Sequence, residues 1–470
     1  MRSVTILGVG RVAGLLLSFA TMALLLRQLG PEPFGVVAMA AGLMAIVSGM
    51  GDAGVGDSLV TDPELDERRL GAALVLTGGI AALLSACALL ATPLVVRFYD
   101  QPAVAWPWVV SAGSVACHLL AVVPQGLARR QERFSLLAWT RLCSMILAAL
   151  VAIPLAFSRA DVWPILAWQG VSPLCALVVL WLAVRPGLAR PTRHSLSELW
   201  RFSRGVAGFT ALNVLSRNAD DVIVGRFLGE KALGYYALCY RILTLPLGLI
   251  GDSFATVAQP RLTRLLGDPS ALGRALGDLI RAVTLLTTPI CLGAALAAPE
   301  LIEVVFGAAW LPALRPFQLL AICGAISAPG RLLGLCYTVS RNTQALARWA
   351  LVTTPIILFG FFAGLPWGVT GVAASVTIVF GALAPISAAV GARVLGVEAR
   401  VLLRSNAAGL GWGALASLPL GGAYLLTRQL GLSAPAVLAA TIAVGALCEL
   451  GLLRHTWRLL KGADQPERSL

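Results

Sequence analysis

Charge is scarce in this chain. Of 470 residues only 13% are Asp, Glu, Lys or Arg, against about 25% in a soluble domain. Lysine is nearly missing, Lys231 and Lys461 being the two present, and histidine occurs three times. This scarcity excludes an ordinary cytosolic protein, and a hydrophobic content of 58% excludes disorder as well. No Cys-x-x-Cys occurs and no Cys/His group has metal-ligand spacing, so neither a zinc site nor a disulfide framework is expected. A Gly-x-x-x-x-Gly-Lys-[Ser/Thr] loop is missing too, and the loops are too short to hold a nucleotide-binding domain. An ATP-driven pump in one chain is thereby disfavoured.

What is plentiful is apolar sequence, with a mean hydropathy of +0.83 and 48 glycines. The expected fold is all-α, a polytopic membrane protein of about fourteen transmembrane helices. Their expected positions are 4–28, 34–57, 71–96, 104–126, 136–157, 162–184, 205–228, 234–259, 279–299, 314–338, 349–364, 368–392, 406–427 and 435–456. Each is long enough, or nearly so, to cross about 30 Å of hydrocarbon at 1.5 Å per residue. The segment 349–364 is the shortest. The first run has no polar cleavage region after it and is expected to stay as the first helix. Nine cysteines, at 87, 117, 143, 175, 239, 291, 323, 336 and 448, all lie in apolar segments and are expected to be small buried hydrophobes.

The net charge of +13 is a matter of topology and not of nucleic acid. Counted over alternate loops, Lys and Arg divide 24 to 7, which puts both termini in the cytoplasm by the positive-inside rule. Five arginines remain within spans: Arg11, Arg141, Arg217, Arg241 and Arg331. The longest loop on the basic side, 185–204, follows six spans and divides the chain.

Two stretches 199 residues apart share one pattern. Arg27-Gln-Leu-Gly-Pro-Glu-Pro-Phe-Gly35-Val-Val-Ala38 and Arg226-Phe-Leu-Gly-Glu-Lys-Ala-Leu-Gly234-Tyr-Tyr-Ala237 both read R-x-L-G-x-x-x-x-G-x-x-A, closing one span and opening the next. Gly51-Asp52 is echoed by Gly251-Asp252. Matching turns at spans 1–2 and 7–8 predict two six-helix lobes in parallel orientation, 1–184 and 205–392, around a central cavity. They are joined by the basic linker 185–204 and followed by two further helices and a cytoplasmic tail over 393–470. Parallel repeats of this kind occur in transporters.

The same residues carry a family resemblance. Asn218-Ala-Asp-Asp-Val-Ile-Val-Gly-Arg-Phe-Leu-Gly229, running on to Arg241, resembles the signature of bacterial polysaccharide flippases. So do Arg27 to Gly35, Gly51-Asp-Ala-Gly54, Pro124 to Phe134 and Pro260-Arg-Leu-Thr-Arg264. These are the Wzx-like O-antigen and exopolysaccharide members of the multidrug/oligosaccharidyl-lipid/polysaccharide exporter superfamily. The resemblance covers most of the chain to about residue 400 and is weak over the last two spans. It implies an inner-membrane transporter, and no enzyme, that flips an undecaprenyl-diphosphate-linked oligosaccharide by alternating access for surface polysaccharide assembly. A polysaccharide polymerase and chain-length machinery are the partners it suggests.

The intramembrane charges can be read independently. An arginine at the bilayer centre costs roughly 2.5–3.5 kcal/mol on insertion scales and normally faces protein or a watery cavity. Asn213, Ser216, Arg217, Asp220 and Asp221 fall on one helical face, and Arg241, Thr244, Gly248 and Asp252 form a second stripe. Arginine keeps its charge and offers a fork that matches phosphate oxygens. Arg217, Arg241, Arg331, Arg141, Arg11 and Asn213 are therefore the candidate substrate-binding residues. Asp220, Asp221, Asp252 and His118 are candidates for carrying a coupling proton or sodium ion, with no other cofactor and no metal expected. On the residues alone, charge balance between Arg217 and Asp221 remains the competing account of that pair. Other functions stay open as well: a lipid II flippase, or a cation-coupled drug exporter, although an arginine-rich interior suits cationic drugs poorly. A membrane glycosyltransferase or polymerase would need an outer loop or a carboxylate pair that is not visible.

Overall fold

A computed structural model describes residues 2–48, 55–62, 65–187, 189–340 and 342–462. Gly51, Asp52 and Gly54 of the predicted motifs lie outside the described residues. Every regular element among the described residues is helical. In order they are α1 (Arg2–Leu29), α2 (Pro31–Ser48), α3 (Val55–Thr61), α4 (Glu67–Tyr99), α5 (Ala105–Arg130), α6 (Phe134–Ser158), α7 (Trp163–Val184) and α8 (Arg193–Arg264). There follow α9 (Pro269–Leu296), α10 (Ala298–Leu301), α11 (Leu314–Ser327), α12 (Gly330–Val339), α13 (Thr343–Gly364), α14 (Gly368–Leu395), α15 (Ala399–Ala416), α16 (Leu418–Gln429) and α17 (Ala434–Gly462).

Eleven helical stretches among the described residues are long and apolar enough to cross a membrane. Two of these, of 48 and 52 residues, each contain a break. The first breaks at Gly229, where the backbone leaves the helical region, and the second at a 3-10 turn over Leu365–Trp367. Each therefore supplies two spans, and α1 adds the shorter apolar run Ala13–Leu29. The protein is an all-helical, polytopic membrane protein. The short segment 349–364 turns out to belong to a 22-residue helix that starts at Thr343. Its start is set by Asn342, whose side chain accepts a hydrogen bond from the Ala345 N–H at 3.0 Å.

Two compact units are present, Met1–Gly234 and Tyr235–Leu470, the division falling within α8. Lipid solvates leucine as well as protein does, so helices here hold together through close packing and internal polar bonds more than by escape from water. In the first unit Val55, Leu59, Leu70, Ala73, Val123 and Leu127 join α3, α4 and α5. The arginine-rich end is fastened by polar contacts. The Arg69 guanidinium pairs with Asp62 at 2.6 Å, and Arg130 donates to the Asp62 and Leu59 carbonyls. The start of the predicted linker is fixed as well: the Ala189 N–H donates to the Glu67 carbonyl at 3.2 Å. Gly71 leaves room for it, since a Cβ there would lie 2.1 Å from the Ala189 carbonyl oxygen.

In the second unit α9 is the central helix, with Leu272, Leu276 and Ile280 against Leu332, Cys336, Ala392 and Leu402. The thirteenth predicted span, 406–427, is divided between α15 and α16, and α15 is set closely on α9. Gly409 and Gly413 would place Cβ atoms 2.8 and 2.7 Å from the Thr284 and Thr288 Cβ atoms, and Thr284 donates to Asn406 at 3.1 Å. The cysteine expectation needs correction. Cys239, Cys291, Cys323 and Cys336 are buried, but Cys87 and Cys143 are exposed and the other three are half-buried. An apolar thiol is as much at ease against hydrocarbon as against protein, so lying in an apolar span does not decide its burial.

Candidate functional site

The repeated turns set the helices that carry the intramembrane charges. Gly30 and Gly229 both have positive φ, 76° and 84°, a region where an L side chain is strained. Five residues on, each copy holds the glycine that meets the other copy. A Cβ on Gly35 would lie 1.7 Å from the Glu230 carbonyl oxygen, and one on Gly234 would lie 2.1 Å from the Pro31 carbonyl oxygen. Pro31 and Glu230 are equivalent positions of the repeat, so the contact is reciprocal. The spacing of the two glycines records this backbone-to-backbone crossing.

Beyond the crossing, α2 and the first arm of α8 stay in contact towards mid-span. Gly225 faces Met39 and the Tyr99 ring, with a Cβ at 3.1 and 3.2 Å from them. The Tyr99 hydroxyl donates to the Met39 carbonyl at 3.1 Å. One turn deeper, a Cβ on Gly42 would lie 2.8 Å from the Asp221 Cβ and 3.5 Å from its Oδ2. Gly42 is thus the space that admits Asp221. Asp220, its neighbour, is buried, while Arg217 on the same arm is exposed. At the turn itself the Arg226 guanidinium lies 5.9 Å from the Phe98 ring centre and 6.0 Å from that of Phe227.

The other predicted residues are more scattered. In the first unit Arg141 is exposed on α6 beside Gly14 of α1, where a Cβ would lie 3.9 Å from its Nε. His118 is exposed on α5, and its imidazole makes no hydrogen bond to a described residue. In the second unit Arg241 and Asp252 are exposed on the second arm of α8. The Arg241 guanidinium has no hydrogen-bond or ion-pair partner among the described residues. Arg11, Asn213 and Arg331 fall on α1, α8 and α12, with side chains outside the described residues.

One polar cluster escaped the sequence reading. Glu300 is buried, and Arg428 grips its Oε1 through Nε at 2.9 Å and a terminal nitrogen at 2.8 Å. The Tyr424 hydroxyl donates to the same oxygen at 3.3 Å, and the Arg428 guanidinium sits 5.3 Å from the Tyr424 ring centre. The cluster ties α16 to α10. Its only sequence signal was opposite charge in two loops on one side of the membrane, 128 residues apart. A cavity of about 180 Å³ among α9, α12, α13, α14 and α15 is lined by Leu333, Trp349, Phe380 and Leu402 with Ser387 and Asn406. Among the described residues its lining carries no charge.

Comparison with known proteins agrees with this architecture. The chain is 26% identical over 361 residues to the succinoglycan biosynthesis transport protein ExoT of Rhizobium meliloti (strain 1021), covering 74% of this chain and 72% of that one. It is 22% identical to the teichuronic acid biosynthesis protein TuaB of Bacillus subtilis (strain 168), over 86% of this chain and 84% of that one. Among solved structures, the lipid II flippase MurJ in an inward closed conformation superposes with a TM-score of 0.73 at 15% identity, covering 97% of this chain and 99% of that one. The likeness to MurJ is one of fold. The model of the family described as "Polysaccharide biosynthesis protein" matches residues 24–315, and the chain belongs to that family.

Proposed function

We propose that the protein is a flippase of the bacterial inner membrane, with both termini cytoplasmic, that moves an undecaprenyl-diphosphate-linked oligosaccharide to the outer leaflet by alternating access. The observation that carries this reading is Arg241: a cation in an apolar span, exposed and without a partner among the described residues. Such a charge is costly in hydrocarbon and is accounted for by an anion that visits it. A diphosphate is that anion, and it cannot cross the bilayer bare because its charge would be desolvated. The family match and the transport and polysaccharide roles in the names of the relatives supply the rest of the cargo.

Arg217, exposed on the first arm of α8, is the second proposed phosphate ligand, with Arg331, Arg141, Arg11 and Asn213 completing the set. Asp220, Asp221, Asp252 and His118 are proposed to exchange a coupling proton or sodium ion. A polysaccharide polymerase and chain-length machinery would take over the product. Arg217→Ala and Arg241→Ala should each abolish surface polysaccharide and make lipid-linked oligosaccharide accumulate on the cytoplasmic leaflet. Neutralising an intramembrane cation lowers the cost of insertion, so membrane levels should hold. Lysine should rescue in part, because the charge returns without the fork. Full activity in an Arg217→Ala, Asp221→Ala double variant would show that Arg217 only balances Asp221.

A further inference from the structure

The second arm of α8 carries more than Arg241. At 100° per residue, Arg241, Thr244, Asp252, Thr256, Gln259 and Thr263 fall within about 120° of arc. All are exposed except Thr244, which is half-buried. On its buried side the arm packs into the second unit: Ala258 and Leu262 lie in that unit's core, at 2% and 1% exposure, and Leu243 is buried as well, at 5%. From Arg241 to Thr263 the arc is about 33 Å long at 1.5 Å per residue.

Its hydrogen bonding has one sense. Thr244 donates its hydroxyl to the Arg241 carbonyl at 3.3 Å, Thr256 to that of Asp252 at 2.7 Å, and Thr263 to that of Gln259 at 2.8 Å. Threonines in any helix can bond back in this way. Here, however, they share an exposed face with an arginine, a carboxylate and an amide, which hydrocarbon would not tolerate together. With each hydroxyl proton committed to the helix's own backbone, the outward side of each oxygen can only accept. Asp252 adds a negative charge to the face. The face therefore offers a cation and, towards the arginine-rich end, a row of threonine oxygens whose outward side accepts.

We propose that this arc is a sugar track: Arg241 takes the diphosphate, and the row from Thr244 to Thr263 accepts hydrogen bonds from the hydroxyls of the attached sugars. The inference rests on the flippase reading and adds a preference to it. A neutral, hydroxyl-rich oligosaccharide is complementary to an acceptor row. A sugar carrying a carboxylate is not, because it would meet threonine oxygens and Asp252 with a charge of the same sign. At about 33 Å the arc has room for several sugar rings.

The test measures binding to the purified full-length protein in detergent with three probes. They are farnesyl diphosphate, the same diphosphate carrying a neutral di-N-acetylglucosamine, and that compound with a terminal glucuronate. Wild type should bind the neutral glycosylated probe about tenfold more tightly than the bare diphosphate and more tightly than the glucuronate. In a Thr244→Val, Thr256→Val, Thr263→Val variant the ratio of glycosylated to bare affinity should fall towards one. The matching triple serine variant keeps the oxygens and should keep the ratio. Monodispersity and an unchanged thermal midpoint check that each variant is folded. A wild-type protein with no preference for the glycosylated probe, or a valine variant that keeps the full preference, overturns the track. Failure of every diphosphate probe to bind wild type overturns the flippase reading itself, and the track with it.

Discussion

The two copies of the internal repeat agree at the turn and part company at mid-span. Both place a glycine at positive φ, and both place a second glycine five residues later where the other copy's backbone passes. Continuing the 199-residue register, however, Gly42 of the first copy corresponds to Arg241 of the second. Gly42 is an empty position into which Asp221 is admitted, whereas Arg241 is an exposed charge. Steric need holds the turns alike, because no side chain fits at either crossing. No such constraint acts one to two turns further on, and there one copy has become a scaffold for a carboxylate while the other presents a cation. The candidate residues Asp221 and Arg241 thus lie where the two copies differ.

The largest effect should come from filling the crossing. Gly35→Ala and Gly234→Ala each drive a methyl group into a carbonyl that cannot rotate away. Each should cost at least the roughly 1–3 kcal/mol of core overpacking and lose most of the folded protein, read as a collapse of the monodisperse peak on size-exclusion chromatography. Gly30→Ala and Gly229→Ala have open space around the added Cβ. They pay only for the positive-φ backbone, roughly 1–3 kcal/mol, and should fold with a lowered thermal midpoint. If the four variants behaved alike, the reciprocal contact would not be what the second glycine of each copy is for.

This turn was legible in the sequence because its requirement is local: two glycines at fixed spacing, met twice. The spans were legible for a similar reason, since hydrocarbon thickness sets their length. The start of α13 was not, because Asn342 caps it from within a polar stretch that hydropathy assigns to a loop. Nor was the docking of Ala189 on Glu67 and Gly71, which uses backbone atoms common to every residue. The Asp221 position on α8 could be read from its helical face, but its neighbour Gly42 lies 179 residues earlier and leaves no trace beyond being small. Glu300 and Arg428 show the same limit for an ion pair: charge identifies the members and not the pairing.

The mid-span difference can be probed from its quieter side. Gly42→Ala adds a methyl group 2.8 Å from the Asp221 Cβ. A side-chain neighbour can yield by a few tenths of an ångström where a backbone carbonyl cannot, so the cost should be smaller, about 1 kcal/mol. The thermal midpoint should drop by only a few degrees. If Asp221 serves transport, activity should fall by more than this loss of stability explains. An Asp221→Ala background keeps the Cβ but has no carboxylate to displace, so there Gly42→Ala should still lower the thermal midpoint yet reduce activity no further. Additive losses of activity in the double variant would show that Gly42 acts elsewhere.

The smallest effect concerns a third point of comparison, the helix that opens the third span of each copy. Both begin behind an aspartate cap. Asp66 accepts from the Arg69 N–H at 2.8 Å, whereas Asp268 accepts from the Ser270 and Ala271 N–H groups, each at 3.0 Å, and from the Ser270 hydroxyl at 2.7 Å. These bonds, that from Ala271 foremost and then the Ser270 hydroxyl, hold the Asp268 carboxyl below its ordinary range. A depressed carboxyl stabilises the fold above its unfolded value of about 4, and that contribution is lost as pH falls through the lower folded value. Amide protection in the first turn of α9 should accordingly be constant from neutral pH down to about 4 and decline below it, once intrinsic exchange is corrected for. Asp268→Asn keeps an acceptor without a proton to gain, so its profile should be flat through the same window. An unchanged acid decline in Asp268→Asn would assign the loss to another group at that helix start and leave the two caps equivalent.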